Sequence, residues 1–410
     1  MEPAQVAVYV VLFVALYFEV FLMITFFEHK PGEKTSARPT DFPSVDIIVP
    51  CWNEEKTLAN TVQSLLALDY PKDKLGIMII DDGSKDSTLK VAQQFADNPQ
   101  VKIFSKENGG KYTALNFGIE RSQADFVGCL DADSFVMPDA LIESIKKFEG
   151  NPDTMAVVPA MKVYSPRNLL ELSQAVEYTF GIFYKKMFDN IAAISVLPGP
   201  FSIYRRSVFS VVGMFRHAHN TEDMEMAFRL HKHHMRIENA HTAVVYTKVP
   251  RTIRALLKQR TRWSQGFLDN SKDYKHMYFN PEFGNFGILV LPFSLLMFFG
   301  GLYTWFYLVY QVFHAIAARL DTAVATRIPL HMPSAIHLDW FYVNTSMLTF
   351  ISLTTITMTI IAIWLGRRIA GANFGLGSLL SYLTVYGFIA PFWLLRAAWG
   401  SARSKTPSWR

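Results

Sequence analysis

At 410 residues, 50% hydrophobic and 14% aromatic, the chain is longer than one ordinary domain and too apolar for a wholly soluble one. A formal net charge of +5 suits a domain resting against anionic lipid headgroups, and no nucleic-acid partner is expected. The only two cysteines, Cys51 and Cys129, fall inside predicted strands, which excludes a disulfide framework and fits a reducing compartment.

The apolar excess sits at 6–27 and again from residue 286 onward, in runs long enough to cross about 30 Å of hydrocarbon. The first run lacks a basic leader and a small-residue cleavage site, and it is longer than the roughly 7–15 apolar residues of a signal peptide. It is therefore read as a retained transmembrane helix, residues 1–28. A polar, proline-containing linker follows at 28–44. The next segment alternates strands and helices: strand 45–50, helix 54–68 with Asn53 as N-cap, strand 77–80, turn 81–84 and helix 86–96. Strand 101–104, the run Asn108-Gly109-Gly110-Lys111 with a helix to 122, and strand 126–130 complete it. This alternation predicts an α/β domain with a mostly parallel sheet, helices on both faces and ligands at the C-terminal strand ends. Asn53, Asp81, Asp82, Lys111, Asp131 and Asp133 all fall at or just after predicted strand ends. No G-x-G-x-x-G follows the first strand and no G-x-x-x-x-G-K-[ST] occurs, so neither a dinucleotide fold nor a P-loop is expected.

The last of these strands ends on Asp131-Ala132-Asp133. In extended chain, residues i and i+2 face the same way at roughly 7 Å, so both carboxylates can meet one cation. Oxygen-only ligands favour Mg²⁺ or Mn²⁺, completed by substrate phosphates. The alternative is a turn, or a cap for a helix beginning near Pro138.

Segment 165–191 carries apolar residues at helical spacing with Lys185 and Lys186 near its end, and reads equally as a membrane-surface helix or a core helix. Leu197-Pro198-Gly199-Pro200-Phe201 is a rigid break before a short strand, 202–204. Thr221-Glu222-Asp223 opens a helix with Thr221 or Asn220 as cap, where Asp223 could be no more than a first-turn acid on the helix dipole. His231, His233 and His234 point around different faces of that helix and are read as a solvated basic face. In a basic helix from 252, Gln259, Arg262 and Trp263 share one side. That side could pair with phosphate and stack on a sugar or base, or could anchor the helix among lipid headgroups.

Apolar segments at 288–316, 340–365 and 374–395 bring the expected crossings to four. With the α/β domain cytoplasmic, Arg367 and Arg368 obey the positive-inside rule, whereas Arg396, Arg403, Lys405 and Arg410 do not. Either one segment is re-entrant or interfacial, or the number of crossings is off by one.

Taken together, Asp81-Asp82, Asp131-x-Asp133, Thr221-Glu222-Asp223 and Gln259-x-x-Arg262-Trp263 resemble the D, DxD, TED and QxxRW set of the family 2 processive glycosyltransferases. These are the membrane-embedded synthases of cellulose, hyaluronan, chitin oligosaccharide and poly-N-acetylglucosamine. The resemblance runs from about residue 45 to 266. It implies a GT-A domain at 45–250, interfacial helices at 251–284 and about three membrane helices at 285–400. It also implies inverting transfer from a nucleotide-diphosphate sugar, a uridine nucleotide above others, to a growing glycan or a lipid-linked acceptor. By the same resemblance, Asp82 with Asp81 beside it contacts the base, and Asn53 and Lys111 belong to the donor site. Asp131 and Asp133 hold the metal, Asp223 is the general base, and Gln259 and Arg262 steady the diphosphate. Trp263, Glu222, Gly199 and Phe201 line the acceptor site, although the Pro-Gly-Pro-Phe wording departs from the family's loop. Four crossings are few for a wide channel, so translocation would need an oligomer or a narrow path closed by interfacial helices. No appended regulatory domain is expected after the last helix. A non-catalytic, nucleotide-sensing membrane protein is the alternative from another class, disfavoured because every catalytic carboxylate is in place.

Overall fold

The computed structural model describes residues 3–28, 42–327 and 346–403. The chain divides into two compact units, Met1–Thr25 with Phe293–Ala362 and Phe26–Pro292 with Ile363–Arg410. Its elements begin with α1 (Pro3–Glu28) and continue with β1 (Val45–Cys51), α2 (Leu58–Leu66), β2 (Leu75–Asp81), α3 (Thr88–Gln93) and β3 (Val101–Ser105). Next come α4 (Lys111–Arg121), β4 (Phe126–Cys129), β5 (Ser134–Val136), α5 (Ala140–Gly150), β6 (Thr154–Val163) and α6 (Leu169–Asn190). Then follow β7 (Ser202–Arg205), α7 (Ser207–Val212), α8 (Glu222–Lys232), β8 (Arg236–Thr247) and α9 (Ile253–Asp273). The last helices are α10 (Leu291–Thr326), α11 (Met347–Ala370), α12 (Leu376–Ser381) and α13 (Gly387–Ala402), the final pair joined by a π-helical turn at Tyr382–Tyr386.

Eight strands form one sheet in the order β3-β2-β1-β4-β7-β6-β8-β5. The half containing β3, β2, β1 and β4 is parallel throughout. Beyond it the sheet is mixed, because β7 runs antiparallel to both β4 and β6, β6 and β8 are parallel, and β5 is antiparallel to β8. Side chains alternate across the strands, so each face receives its own helices. Ile47, Val49, Ile77 and Ile79 pack under Leu58, Val62 and Leu65 of α2 with Leu141 and Ile145 of α5. On the other face, Ile48, Met78 and Ile80 meet Ala114, Leu115 and Ile119 of α4 with Met226, Ala227 and Leu230 of α8.

Several local expectations are corrected. The helix expected at 54–68 begins at Leu58, with Thr57 rather than Asn53 at its cap position. Asn53 sits at φ 56° and bonds across to the next loop, its N–H donating to Ser84 Oγ (2.9 Å) and its Oδ1 accepting from the Lys85 N–H (2.8 Å). Strands β6 and β8 were not expected. β8 carries Glu238 and Asn239 at buried positions, and they interrupt its apolar pattern. Asn239 is tolerated there because its Nδ2 donates to Val158 O on β6. His231 leaves the solvated face assigned to it: it is buried, its Nε2 lies 2.7 Å from Ile194 O, and its ring stacks on Phe286. His233 and His234 are exposed as expected. α6 starts at a full capping box, Asn168 accepting from the Glu171 N–H while Glu171 accepts from the Asn168 N–H.

Four helices are long and apolar enough to cross a membrane: Pro3–Glu28, Phe286–Thr326, Met347–Ala370 and Leu376–Ala402. Of the expectations above, residues 29–41 of the linker, 340–345 of the second C-terminal segment, and Lys405 and Arg410 lie outside the described residues. Within the first unit, Phe18 stacks on Phe293 at 3.6 Å and Thr359 Oγ1 donates to Glu19 Oε1 at 2.7 Å, giving a carboxylate on an apolar helix a polar partner.

Candidate active site

The parallel half of the sheet places its acidic loops side by side at one rim. Asp81 ends β2 and Asp82 follows it directly, and both are buried. Asp81 is held inside the loop, accepting from the Ser84 N–H and from Ser105 Oγ. Asp82 reaches the adjoining cavity wall but spends its carboxylate on the glycine loop. Its Oδ1 accepts from Lys106 Nζ at 2.6 Å and from the Gly109 N–H at 3.1 Å, and its Oδ2 accepts from the Gly110 N–H at 2.8 Å. Gly110, at φ 91°, turns the chain into α4, so that Lys111 points back over the strand ends. A cavity of about 360 Å³ lies here, lined by Trp52, Asp82, Asn108, Lys111, Asp131 and Asp133 among others. Trp52 and Asn108 carried no signal in the sequence beyond their places after predicted strands.

A second cavity, of about 460 Å³, shares Lys111, Asp131 and Asp133 with the first. It adds Glu222 and Asp223 from the start of α8, Gly199 from the loop before β7, and Gln259, Arg262 and Trp263 from α9. Residues from five separated stretches therefore meet in one chamber. Lys111 is the hinge between the two cavities, its Nζ lying 2.5 Å from Asp131 Oδ1 and 3.4 Å from Glu222 Oε1. Burial works against charge on Lys111, but Asp131, Glu222 and Asp223 outweigh it and hold its ammonium above the usual lysine range. Gly199 packs on this pair so closely that a β-carbon would overlap the Lys111 ammonium and crowd the Asp131 carboxylate.

Phe201 is corrected. It is fully buried in the core beneath the sheet, with its N–H donating to Cys129 O at 2.6 Å, and it does not line the chamber. It anchors the loop that presents Gly199.

α9 reads as two stripes. Arg262, Gly266 and Asn270 recur every four residues and clamp the loop before α8. Arg262 Nη1 donates to Asn220 O (2.7 Å), Asn270 Nδ2 donates to Thr221 Oγ1 (2.9 Å), and a β-carbon at Gly266 would overlap Thr221. On the adjoining side Arg260 is buried, its guanidinium 4.2 Å from the Trp263 ring centroid and its Nη2 donating to Glu177 Oε2 of α6 at 2.6 Å. α6 contributes Glu177, Tyr178 and Lys185 to the chamber wall. Of these only Lys185 stood out in the sequence. Glu177 and Tyr178 lie between the apolar positions of the helix, where nothing distinguishes them.

Two carboxyls are displaced from their ordinary range. Removal from water, then the negative Asp131, push Asp133 up to about 6. Removal from water, then Glu222, push Asp223 up to about 6, against the pull of Lys111 and Arg262. Burial also draws Lys185 down to about 8, with Asp223 opposing. Among the described residues no group of three or more His, Cys, Asp or Glu side chains is arranged to enclose a metal. Asp131 and Asp133 thus form a two-carboxylate, oxygen-only donor set whose crowding a cation would relieve, with coordination left open for a ligand's own oxygens.

The glycosyl transferase family 2 description matches residues 46–213, a stretch that includes the first two acidic motifs. The poly-beta-1,6-N-acetyl-D-glucosamine synthase of Staphylococcus epidermidis is 33% identical over 261 residues, 62% of this chain and 63% of that one. The synthase of the same name from Staphylococcus aureus strain COL is 32% identical over 237 residues, 57% of each chain. The chain thus spans less than two thirds of the length of these curated relatives. In fold it is similar to a mannosyltransferase from Pyrobaculum calidifontis solved in complex with GDP-Man and Mn²⁺, with a TM-score of 0.64 at 19% identity over 98% of this chain and 99% of that one. The rim of acidic strand ends therefore lies in a stretch of this chain that is similar to glycosyl transferase family 2, flanked in sequence by helices long and apolar enough to cross a membrane.

Proposed function

We propose that this protein is a membrane-embedded glycosyltransferase that moves a sugar from a nucleotide-diphosphate donor onto a growing glycan, with inversion at the anomeric carbon. The observation that carries the reading is the single chamber in which Lys111, Asp131 and Asp133 meet Asp223, Gln259, Arg262 and Trp263. The names of the staphylococcal relatives support a polymer of N-acetylglucosamine, and the resemblance drawn from the motifs favours a uridine nucleotide as its carrier.

In this reading the nucleotide lies in the cavity at Trp52, Asp82 and Asn108, with Asn53, Asp81 and Asp82 shaping the loops that receive it. Asp131 and Asp133 hold Mg²⁺ or Mn²⁺, and the mannosyltransferase of the same fold, which carries GDP-Man with Mn²⁺, supports that assignment. When bound, the cation neutralises charge on the diphosphate. Asp223 removes the proton from the acceptor hydroxyl as its oxygen bonds to the anomeric carbon and the bond to the diphosphate breaks. An aspartate already pushed up to about 6 is a stronger base than an ordinary one and is still ionised at neutral pH. Arg262 and Gln259 meet the charge developing on the departing diphosphate. Trp263, held flat by the Arg260 guanidinium, offers a stacking face to the acceptor sugar, with Glu222 and Gly199 on the adjoining wall. The domain would occupy the cytoplasmic side, where nucleotide sugars are made.

The test is a panel of nucleotide-sugar donors given to the purified, detergent-solubilised protein with Mg²⁺ or Mn²⁺, following nucleoside diphosphate release and sizing the product. Turnover of UDP-N-acetylglucosamine into long polymer is expected. Addition of one sugar only, or turnover that requires an added lipid acceptor, would replace the polymerase reading with transfer to a lipid-linked acceptor.

A further inference from the structure

The helix Leu376–Ala402 is long and apolar enough to cross a bilayer, yet polar contacts hold it along the glycosyltransferase unit from one end to the other. Near its start, Ser381 Oγ lies 2.7 Å from Ser173 Oγ of α6. Further on, Tyr386 OH donates to Glu177 Oε2 at 3.0 Å, and Tyr386 and Trp393 pack around Leu256 of α9. At its end, Lys272 Nζ of α9 donates to both Ser401 O and Ser401 Oγ at 2.7 Å, and Ser401 donates to Asp269. Gly400 passes Gln265 so closely that a β-carbon would overlap its amide. Ser381 and Ser401 are separated by about 30 Å of helix, which is also the thickness of the hydrocarbon layer. A crossing helix would carry one of them to the far side, out of reach of α6 or α9. α9 cannot follow it, because its exposed surface carries Lys258, Lys272 and Asp273.

The outer face completes the argument. Leu376, Leu380, Phe388, Phe392 and Trp399 recur at helical spacing and are 70%, 53%, 72%, 53% and 62% exposed. The opposite face, Ser378, Ser381, Tyr386, Trp393, Ala397 and Ser401, is buried. The Arg403 guanidinium lies 4.0 Å from the Trp399 ring centroid, a pairing suited to the headgroup layer.

We propose that Leu376–Ala402 does not cross the bilayer: it lies in the headgroup layer on the glycosyltransferase side, its apolar stripe in the lipid and its other face braced on α6 and α9. Three helices then cross, α1, α10 and α11. Residues 371–375 link α11 to the interfacial helix on that side, and Arg367, Arg368, Arg396 and Arg403 fall together where the positive-inside rule puts them. The helix also touches the acceptor wall. Tyr386 and Arg260 share the Glu177 carboxylate, and Arg260 underlies Trp263, so a lipid-facing helix is joined to the stacking platform through three side chains.

Both native cysteines are buried, so introduced thiols report alone. In sealed vesicles of one orientation bearing the full chain, a membrane-impermeant maleimide reads the side of Ala402→Cys. Lys90→Cys marks the glycosyltransferase side, and Arg327→Cys, between α10 and α11, marks the other. Labelling of Ala402→Cys together with Lys90→Cys is expected; labelling with Arg327→Cys overturns the proposal. A protease-cleavable tag appended after Arg410 answers the same question without altering the helix. A nitroxide at Phe388 should report a depth of roughly 5–10 Å below the headgroups. A reading at the bilayer centre, or one shielded from lipid by a second copy, also overturns it. These readouts are independent of the reaction catalysed, so their failure leaves the functional reading standing.

Discussion

The two walls of the chamber are built differently. The wall proposed to take the donor consists of loops that each leave a strand of one parallel ladder, so Asp82, Lys111, Asp131 and Asp133 are positioned by neighbouring backbones in fixed register. The wall proposed to take the acceptor is assembled from helices far apart in the chain, where Trp263 packs on Arg260, Arg260 pairs with Glu177, and Glu177 also accepts from Tyr386. Donor binding should therefore respond to single side chains, and acceptor handling to helix–helix contacts.

The largest expected effect sharpens that contrast at the point where the walls meet. Asp223→Asn removes the proposed base and should lower kcat by about 10²- to 10⁴-fold while donor affinity, measured by nucleotide-sugar titration, stays within a few-fold. Donor binding lost in parallel would move Asp223 to the donor wall. Next in size, Glu177→Gln strips the Arg260 guanidinium of its counter-charge. Arg260 is buried but the Glu177 side chain is 30% exposed, so the loss is smaller than the roughly 3–5 kcal/mol of a fully buried pair; a fall in Tm and a raised acceptor KM are expected with donor KM unchanged. Gly266→Ala presses α9 away from Thr221 and should cost about 1–3 kcal/mol by overpacking, read as reduced thermal stability together with reduced kcat.

The pH dependence gives a smaller, signed effect. As the proposed base Asp223 must act ionised, and it is pushed up to about 6 by burial and then by Glu222, so kcat/KM should hold near neutrality and fall about tenfold per unit below pH 6. Glu222→Gln removes a like charge and should shift that acid limb to lower pH. A limb that stays in place, or moves upward, would show that Glu222 does not act on Asp223.

The same division governs what could be read from the chain. Acidic residues at the ends of apolar runs announce themselves, because a buried strand seldom ends on a carboxylate without a cation to meet it, and the rim from Asp82 to Asp133 was legible for that reason. Asn53 was misassigned because a polar residue before a helix looks like a cap, whereas its bonds go sideways to Ser84 and Lys85 in the next loop. Phe201 was placed at the acceptor by its neighbours in sequence, but the turn at Pro198–Pro200 sends Gly199 to the chamber and Phe201 to the core. The stripe Arg262, Gly266 and Asn270 went unread beside Gln259, Arg262 and Trp263, because nothing local says which loop a four-residue spacing will clamp. Hydropathy alone also counts Leu376–Ala402 as a crossing, because apolar length says nothing of what holds its polar face.

The most direct measurement compares Asp133→Ala with Trp263→Ala in the same preparation, recording equilibrium donor affinity and acceptor KM for each. A two-wall chamber predicts that Asp133→Ala loses metal-dependent donor binding with little change in acceptor KM, and that Trp263→Ala raises acceptor KM with donor affinity intact. If Trp263→Ala weakened the donor as much as Asp133→Ala did, the division of the chamber would be contradicted.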